Sequence, residues 1–182
     1  SFPNQAFYGG KLKPVGLSHQ LEEISSPVLF IPSRRDTGSL SGKTNVYEAQ
    51  MVADWAERIW KESPEAFDAH RTLGIITPYR SQIALIRKQL QRKGIPALLD
   101  ISVDTVERYQ GSERDVIIYS FCVNHRYQLK FLPNLTEENG TLIDRKLNVA
   151  LTRARKRMIV IGVPELLKEN PIYHHFISSY SV

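Results

Sequence analysis

The sequence predicts an α/β domain: a parallel sheet with helices on both faces. Short β-branched apolar runs alternate with stretches of helical periodicity, and the runs are apolar throughout, as in strands buried on both sides. No internal repeat or low-complexity tract interrupts them. The 182 residues suffice for one domain with a substantial core and are short for two, so 1–182 read as a single domain.

"VLFI", Val28 to Ile31, is the first strand. A helix follows over Asn45 to Trp60, where Ala49, Val52, Ala53, Ala56, Ile59 and Trp60 share one face. "LGIIT" (Leu73 to Thr77) is the second strand, and Ser81 to Lys93 the second helix, with Ile83, Ile86 and Leu90 inward. "ISV" ends in a turn at Asp104, and "DVIIYSF" reads as a fully buried strand. A loop over 124–143 leads to a helix over Arg145 to Ala154, and "MIVIG" (Met158 to Gly162) is the last strand before closing helical turns. In such a sheet ligands bind outside the carboxyl ends of the strands. Thr77 there suits an N-cap and Pro78 a first helical position, which leaves open amides for an anion. Polar and basic residues are expected to collect on that one edge.

Composition narrows the function classes. The 24 Lys+Arg against 19 Asp+Glu leave a net charge of +5, which permits a polyanionic partner without demanding one. The single cysteine, Cys122, excludes a disulfide framework and a cysteine-based metal site, and it lies in an apolar run that suits a core thiol. His174-His175 reads as surface, and no metal site is expected. No stretch reaches membrane-spanning length and no signal peptide is visible; only the triplet Asn134-Leu135-Thr136 spells a glycosylation site. An intracellular location follows, cytoplasmic, or nuclear if the source is eukaryotic. "GSLSGKT" (Gly38 to Thr44) ends like a phosphate-cradling P-loop. That loop needs four residues between its first glycine and Gly-Lys. Here there are three, and charged "PSRRDT" separates the stretch from the strand, so it reads as a surface loop.

The most informative segment is "DRKLNVALTRARKR", Asp144 to Arg157. Leu147, Ala150, Leu151 and Ala154 recur at helical spacing as one apolar stripe, and six basic residues fall within thirteen positions. A solvated helix face explains a charge run, but a rigid arginine beside a ligand edge also spreads positive charge over phosphate oxygens. "NVALTRAR" resembles motif VI of superfamily 1 helicases, and "VDTVERYQGSERDVIIYS" resembles their motif V. "IITPYRSQ" is similar to the segment two strands earlier, and "SFPNQAFYGGKL" to the stretch after motif IV. The branch resembled holds the nonsense-mediated-decay helicase and the nuclease-helicase of lagging-strand processing, and the resemblance runs from Phe2 to about Tyr180.

The resemblance implies the second RecA-like domain of such a helicase, excised from a longer chain; Ser1 in place of an initiator methionine agrees. It implies ATP and Mg²⁺ as cofactors, held by a P-loop and acids in a first RecA-like domain upstream. No "DE" ends an apolar strand here. It makes Arg153 the arginine finger and places Gln110, Gly111, Glu113 and Arg155 on the nucleotide wall. Thr77, Pro78, Tyr79, Arg80 and Thr105 fall on the path of single-stranded DNA or RNA, DNA favoured. Arg145-Lys146 stands where the family has two arginines, and Val123 where it often has one. The alternatives are a non-catalytic nucleic-acid-binding module, and a small phosphotransferase resting on GSLSGKT alone.

Overall fold

A computed structural model describes residues 28–109, 112–131, 135–138 and 141–180. The segment "SFPNQAFYGGKL" and the candidates Gln110 and Gly111 lie outside them. The strands are β1 (Val28–Pro32), β2 (Leu73–Ile76), β3 (Ser102–Asp104), β4 (Arg114–Ser120), β5 (Leu135–Glu138), β6 (Thr141–Asp144) and β7 (Ala154–Gly162). The helices are α1 (Val46–Glu62), α2 (Arg80–Arg92), α3 (Gln128–Phe131), α4 (Arg145–Thr152), α5 (Pro164–Leu167) and α6 (Pro171–Tyr180). One five-stranded sheet runs β1-β7-β4-β2-β3, and each neighbouring pair in it is parallel.

The continuous apolar strands are explained by two cores. Ile117, Tyr119 and Phe121 of the β4 segment, with Met158 and Val160 of β7, pack under Leu147, Ala150 and Leu151 of α4 and Tyr173 and Ile177 of α6. The alternate residues Val116, Ile118, Ile159 and Ile161 pack under Ala49, Val52, Ala53 and Ala56 of α1 and Ile86 and Leu90 of α2. Burying each large side chain contributes about 1.5–3 kcal/mol, so both faces drive the fold. The sheet has helices on both faces, as predicted.

The start of α1 ties this frame together. Asn45 is its N-cap, and its side-chain oxygen accepts the Glu48 N–H at 2.9 Å. Asn45 and Glu48 spell a capping box, yet the carboxylate does not return to the Asn45 N–H, which donates to Gln82 Oε1 at 2.9 Å. Glu48 turns inward instead, fully buried, and accepts from Ser33 Oγ at 2.8 Å, Ser120 Oγ at 2.7 Å and Cys122 N–H at 3.0 Å. It thereby joins the segments that leave β1 and β4.

Four expectations are corrected. Tyr79, with no side-chain cap bond, is the N-cap of α2; Thr77 is buried, and its N–H donates to the Asp104 carbonyl at 3.1 Å. The 124–143 segment is not simply a loop: it holds α3 and the antiparallel hairpin β5–β6. The helix stops at Thr152, and β7 begins at Ala154 rather than Met158. Register explains that start: Arg114 pairs with Ala154 but Val116 with Arg157, so Arg155 and Lys156 bulge opposite Asp115. Its carboxylate meets Arg155 at 3.2 Å and Lys156 at 3.8 Å, which lets a charged segment pair as strand. Finally, the polar residues occupy two edges. Glu113 and Arg153 precede β4 and β7, whereas Thr77 to Arg80 and Thr105 follow β2 and β3.

Candidate functional site

The amino edge is built by neighbouring strands. The Arg114 N–H donates to the Arg153 carbonyl at 2.8 Å, so Glu113 and Arg153 are brought side by side by strand register. Arg153 sits in the turn between α4 and β7, held by its N–H to the Ala150 carbonyl at 3.1 Å. It is half-buried, and its Nε is buried without a hydrogen-bond partner among the described residues. The Arg114 Nε, on the adjoining strand, is orphaned in the same way. A buried unsatisfied donor costs about 1–3 kcal/mol, but the two do not share a direction: the Arg114 guanidinium reaches across β2 to Ser102 Oγ on β3 at 3.3 Å, away from β7. The Arg114 guanidinium is otherwise engaged by Ser112 Oγ at 2.6 Å and the Glu113 carbonyl at 2.9 Å, which leaves the exposed Glu113 carboxylate out of that network. Arg155 lies on β7, exposed, with Nε on Asp115 at 3.2 Å and Nη2 on the Arg71 carbonyl at 3.4 Å.

The carboxyl edge is a different surface. Arg80 is exposed and forms no ion pair among the described residues, while Pro78 and Tyr79 are half-buried beside it. The Tyr79 hydroxyl accepts from Gln128 Nε2 at 3.1 Å, and burial pushes its pKa up. Thr77 offers no surface, because its side chain is buried with its hydroxyl unpartnered. Thr105 is half-buried, its N–H on Asp104 Oδ1 at 3.0 Å and its hydroxyl on the Glu107 carboxylate.

One segment joins the edges. After Thr105 the chain makes a 3-10 turn over Val106–Tyr109, and by Glu113 it has reached the other end of the sheet. The turn is fastened twice. Lys146 of α4 pairs with Glu107 at 3.5 Å, and the Tyr109 hydroxyl donates to the Ser102 carbonyl at 2.7 Å. A Cβ on Gly74 would lie 2.3 Å from that hydroxyl, so glycine on β2 is what admits the turn.

Sequence reasoning missed the buried polar set behind the carboxyl edge: Asn45, Glu48, Gln82, Asn124 and Gln128. The Asn45/Glu48 capping-box spelling was the one available signal, and it names the wrong partner for the carboxylate. Among the described residues no group of three or more His, Cys, Asp or Glu could hold a metal ion, and no helix is long and apolar enough to cross a membrane.

Comparison with known proteins bears on the same segments. A family model described as an AAA domain matches residues 1–165. An uncharacterized ATP-dependent helicase of Methanocaldococcus jannaschii is 30% identical over 197 residues, covering 97% of this chain and 26% of that protein. The DNA polymerase alpha-associated DNA helicase A of Schizosaccharomyces pombe is 30% identical over 200 residues, 97% of this chain and 28% of that one. The regulator of nonsense transcripts 1 of Dictyostelium discoideum is 31% identical over 192 residues, 98% of this chain but 14% of that one. The chain thus spans little more than a quarter of these relatives at most. The solved C-terminal domain of a possible DNA helicase from Lactobacillus plantarum WCFS1 shares the fold, with a TM-score of 0.52 over 93% of this chain and 96% of that one at 14% identity. With a parallel five-stranded sheet and a family match over most of its length, the chain belongs to the superfamily 1 helicases, as their second RecA-like domain.

Proposed function

We propose that this domain closes the nucleotide site of an ATP-driven helicase or translocase with its amino edge and holds single-stranded nucleic acid on its carboxyl edge. The carrying observation is Arg153 beside Glu113, with the arginine's buried Nε unpartnered. A planar guanidinium fixed at a turn can span two phosphate oxygens of a charge-rich transition state without reorganising. Arg153 would therefore hold the γ-phosphate of ATP, with Glu113, Gln110 and Gly111 on the same wall and Arg155 at its margin. ATP with Mg²⁺ supplies the driving chemistry, and its P-loop and metal-binding acids are assigned to a first RecA-like domain. Approach of that domain and its later release would advance the strand past Arg80, Pro78, Tyr79 and Thr105.

Arg153→Ala in the full-length protein is expected to lower ATP turnover on the order of 10³-fold, the low end for such residues. Arg153→Lys should rescue poorly, because a point charge lacks the fork. Arg155→Ala should lose less, since its guanidinium is committed to Asp115 and the Arg71 carbonyl. Turnover measured on folded variants decides. Near-normal activity in Arg153→Ala would return the domain to the non-catalytic nucleic-acid-binding reading.

A further inference from the structure

The Gly38–Thr44 loop, rejected as a P-loop, is built too firmly to be a slack connection. Asn124 Nδ2 donates to the Gly42 carbonyl at 3.1 Å and the Thr44 carbonyl at 2.7 Å, and the Ser39 and Thr44 hydroxyls meet at 2.8 Å. Gly42 has a φ of +72°, and a Cβ there would come within 2.9 Å of both His125 and Tyr127. Glycine is thus required twice, by backbone conformation and by the close approach of that pair. Ser81 Oγ, in the first turn of α2, donates to the Lys43 carbonyl at 2.9 Å. The loop is thereby seated on the carboxyl edge.

What the loop presents there is specific. Lys43 is exposed, and its Nζ lies 6.0 Å from the centre of the Tyr79 ring, one residue before Arg80. Several exposed cations of this domain are paired: Arg126 with Glu169, Arg155 with Asp115, Arg108 with Asp104. Lys43 and Arg80 form no ion pair among the described residues. Next to them Tyr127 is 53% exposed and stacks on His125, ring centres 5.3 Å apart at 11°. The same two rings line a cleft of about 430 Å³ together with Arg35, Arg126, Glu165 and Glu169, so its charges balance. Free cations interleaved with an aromatic platform match a single strand, whose phosphates need charge and whose bases need a flat face.

We infer that Lys43 and Tyr127 extend the strand path beyond β2 to the end of β4, Lys43 meeting a backbone phosphate and Tyr127 stacking a base of single-stranded nucleic acid. The inference rests on the nucleic-acid reading of this edge. The spatial order agrees: Thr105 follows β3, Tyr79 and Arg80 follow β2, and Tyr127 follows β4, three consecutive strands of the sheet.

Binding of fluorescent oligo(dT) and oligo(U) to the full-length protein across a salt series tests this. Lys43→Ala should weaken binding to both and flatten the logarithmic salt slope by about 0.7, one phosphate contact on a single strand. Tyr127→Ala should weaken binding at least about fivefold with the slope unchanged, the loss of one stacked base. Arg92→Ala, at the far end of α2, is the surface control. Either variant behaving like this control, while Arg80→Ala loses affinity and slope, overturns the extension and leaves the edge reading standing. Silence in Arg80→Ala as well overturns both.

Discussion

Glu48 is a carboxyl group with no exposed surface, placed where α1 meets the segments leaving β1 and β4. Burial raises its pKa from 4.5 to about 7, against the three hydrogen bonds from Ser120, Cys122 and Ser33 that favour the charged form. The sign follows directly: the folded state holds this proton more tightly than the unfolded chain. Glu48 thus favours folding fully below about pH 4.5, and that contribution is lost as pH rises through about 7. The total is about 3 kcal/mol, with a slope of at most about 1.4 kcal/mol per pH unit. Glu48→Gln keeps an oxygen for the Cys122 N–H and the Ser120 hydroxyl, and its NH2 can donate to Ser33 Oγ. Denaturant titrations of both proteins from pH 4.5 to 7 are expected to show the declining component in the parent and not in the variant. Equal slopes would show that Glu48 titrates normally. None of this was legible in the letters, because a capping-box spelling does not say whether its carboxylate bends back or dives inward. Arg153 was singled out only through its motif; the burial of its unpartnered Nε is a property of the fold that no motif spells.

At the scale of elements, a helical apolar spacing ran through Ala154, and all four of its residues are buried. The last of them is nevertheless strand. The same burial is satisfied by a helix facing the sheet or by a strand within it, and pairing with Arg114 decides. Helices α1 and α2 and the central strands were readable because long periodic or fully apolar runs have few other solutions. The β5–β6 hairpin was not, since an acidic stretch without alternating apolar residues carries no strand period. The Gly38–Thr44 loop shows the opposite case, a motif-like spelling whose glycine answers to packing. Gly42→Ala must place a side chain at positive φ and against His125 and Tyr127. It is expected to destabilise the domain by about 1–2 kcal/mol or more from the backbone alone. The check is a lower urea midpoint at an unchanged slope. An unchanged midpoint would mean that the loop lifts from the edge without cost.

For the whole molecule, the two-edge arrangement sets what the domain can do alone. The phosphate-cradling loop is assigned to another domain, and a finger without a held substrate accelerates nothing. The purified 182-residue chain is therefore expected to show no strand-stimulated ATP turnover, and measurable turnover would place a complete site within it. Strand binding by the same chain should be detectable yet weaker than in the full protein. The segment from Thr105 to Glu113 then acquires a mechanical meaning. Its turn over Val106–Tyr109 is fastened to Lys146 and Ser102, and under the function proposed above it would serve as a transmission shaft between the edges. Under that proposal, tension on a bound strand and occupancy of the phosphate wall would act on the two ends of one part. Whatever factor nucleotide imposes on strand affinity, the strand must impose on nucleotide affinity. A motor geared this way would feel its load as a change in grip on its fuel, and cutting the Glu107–Lys146 tie would let the shaft slip.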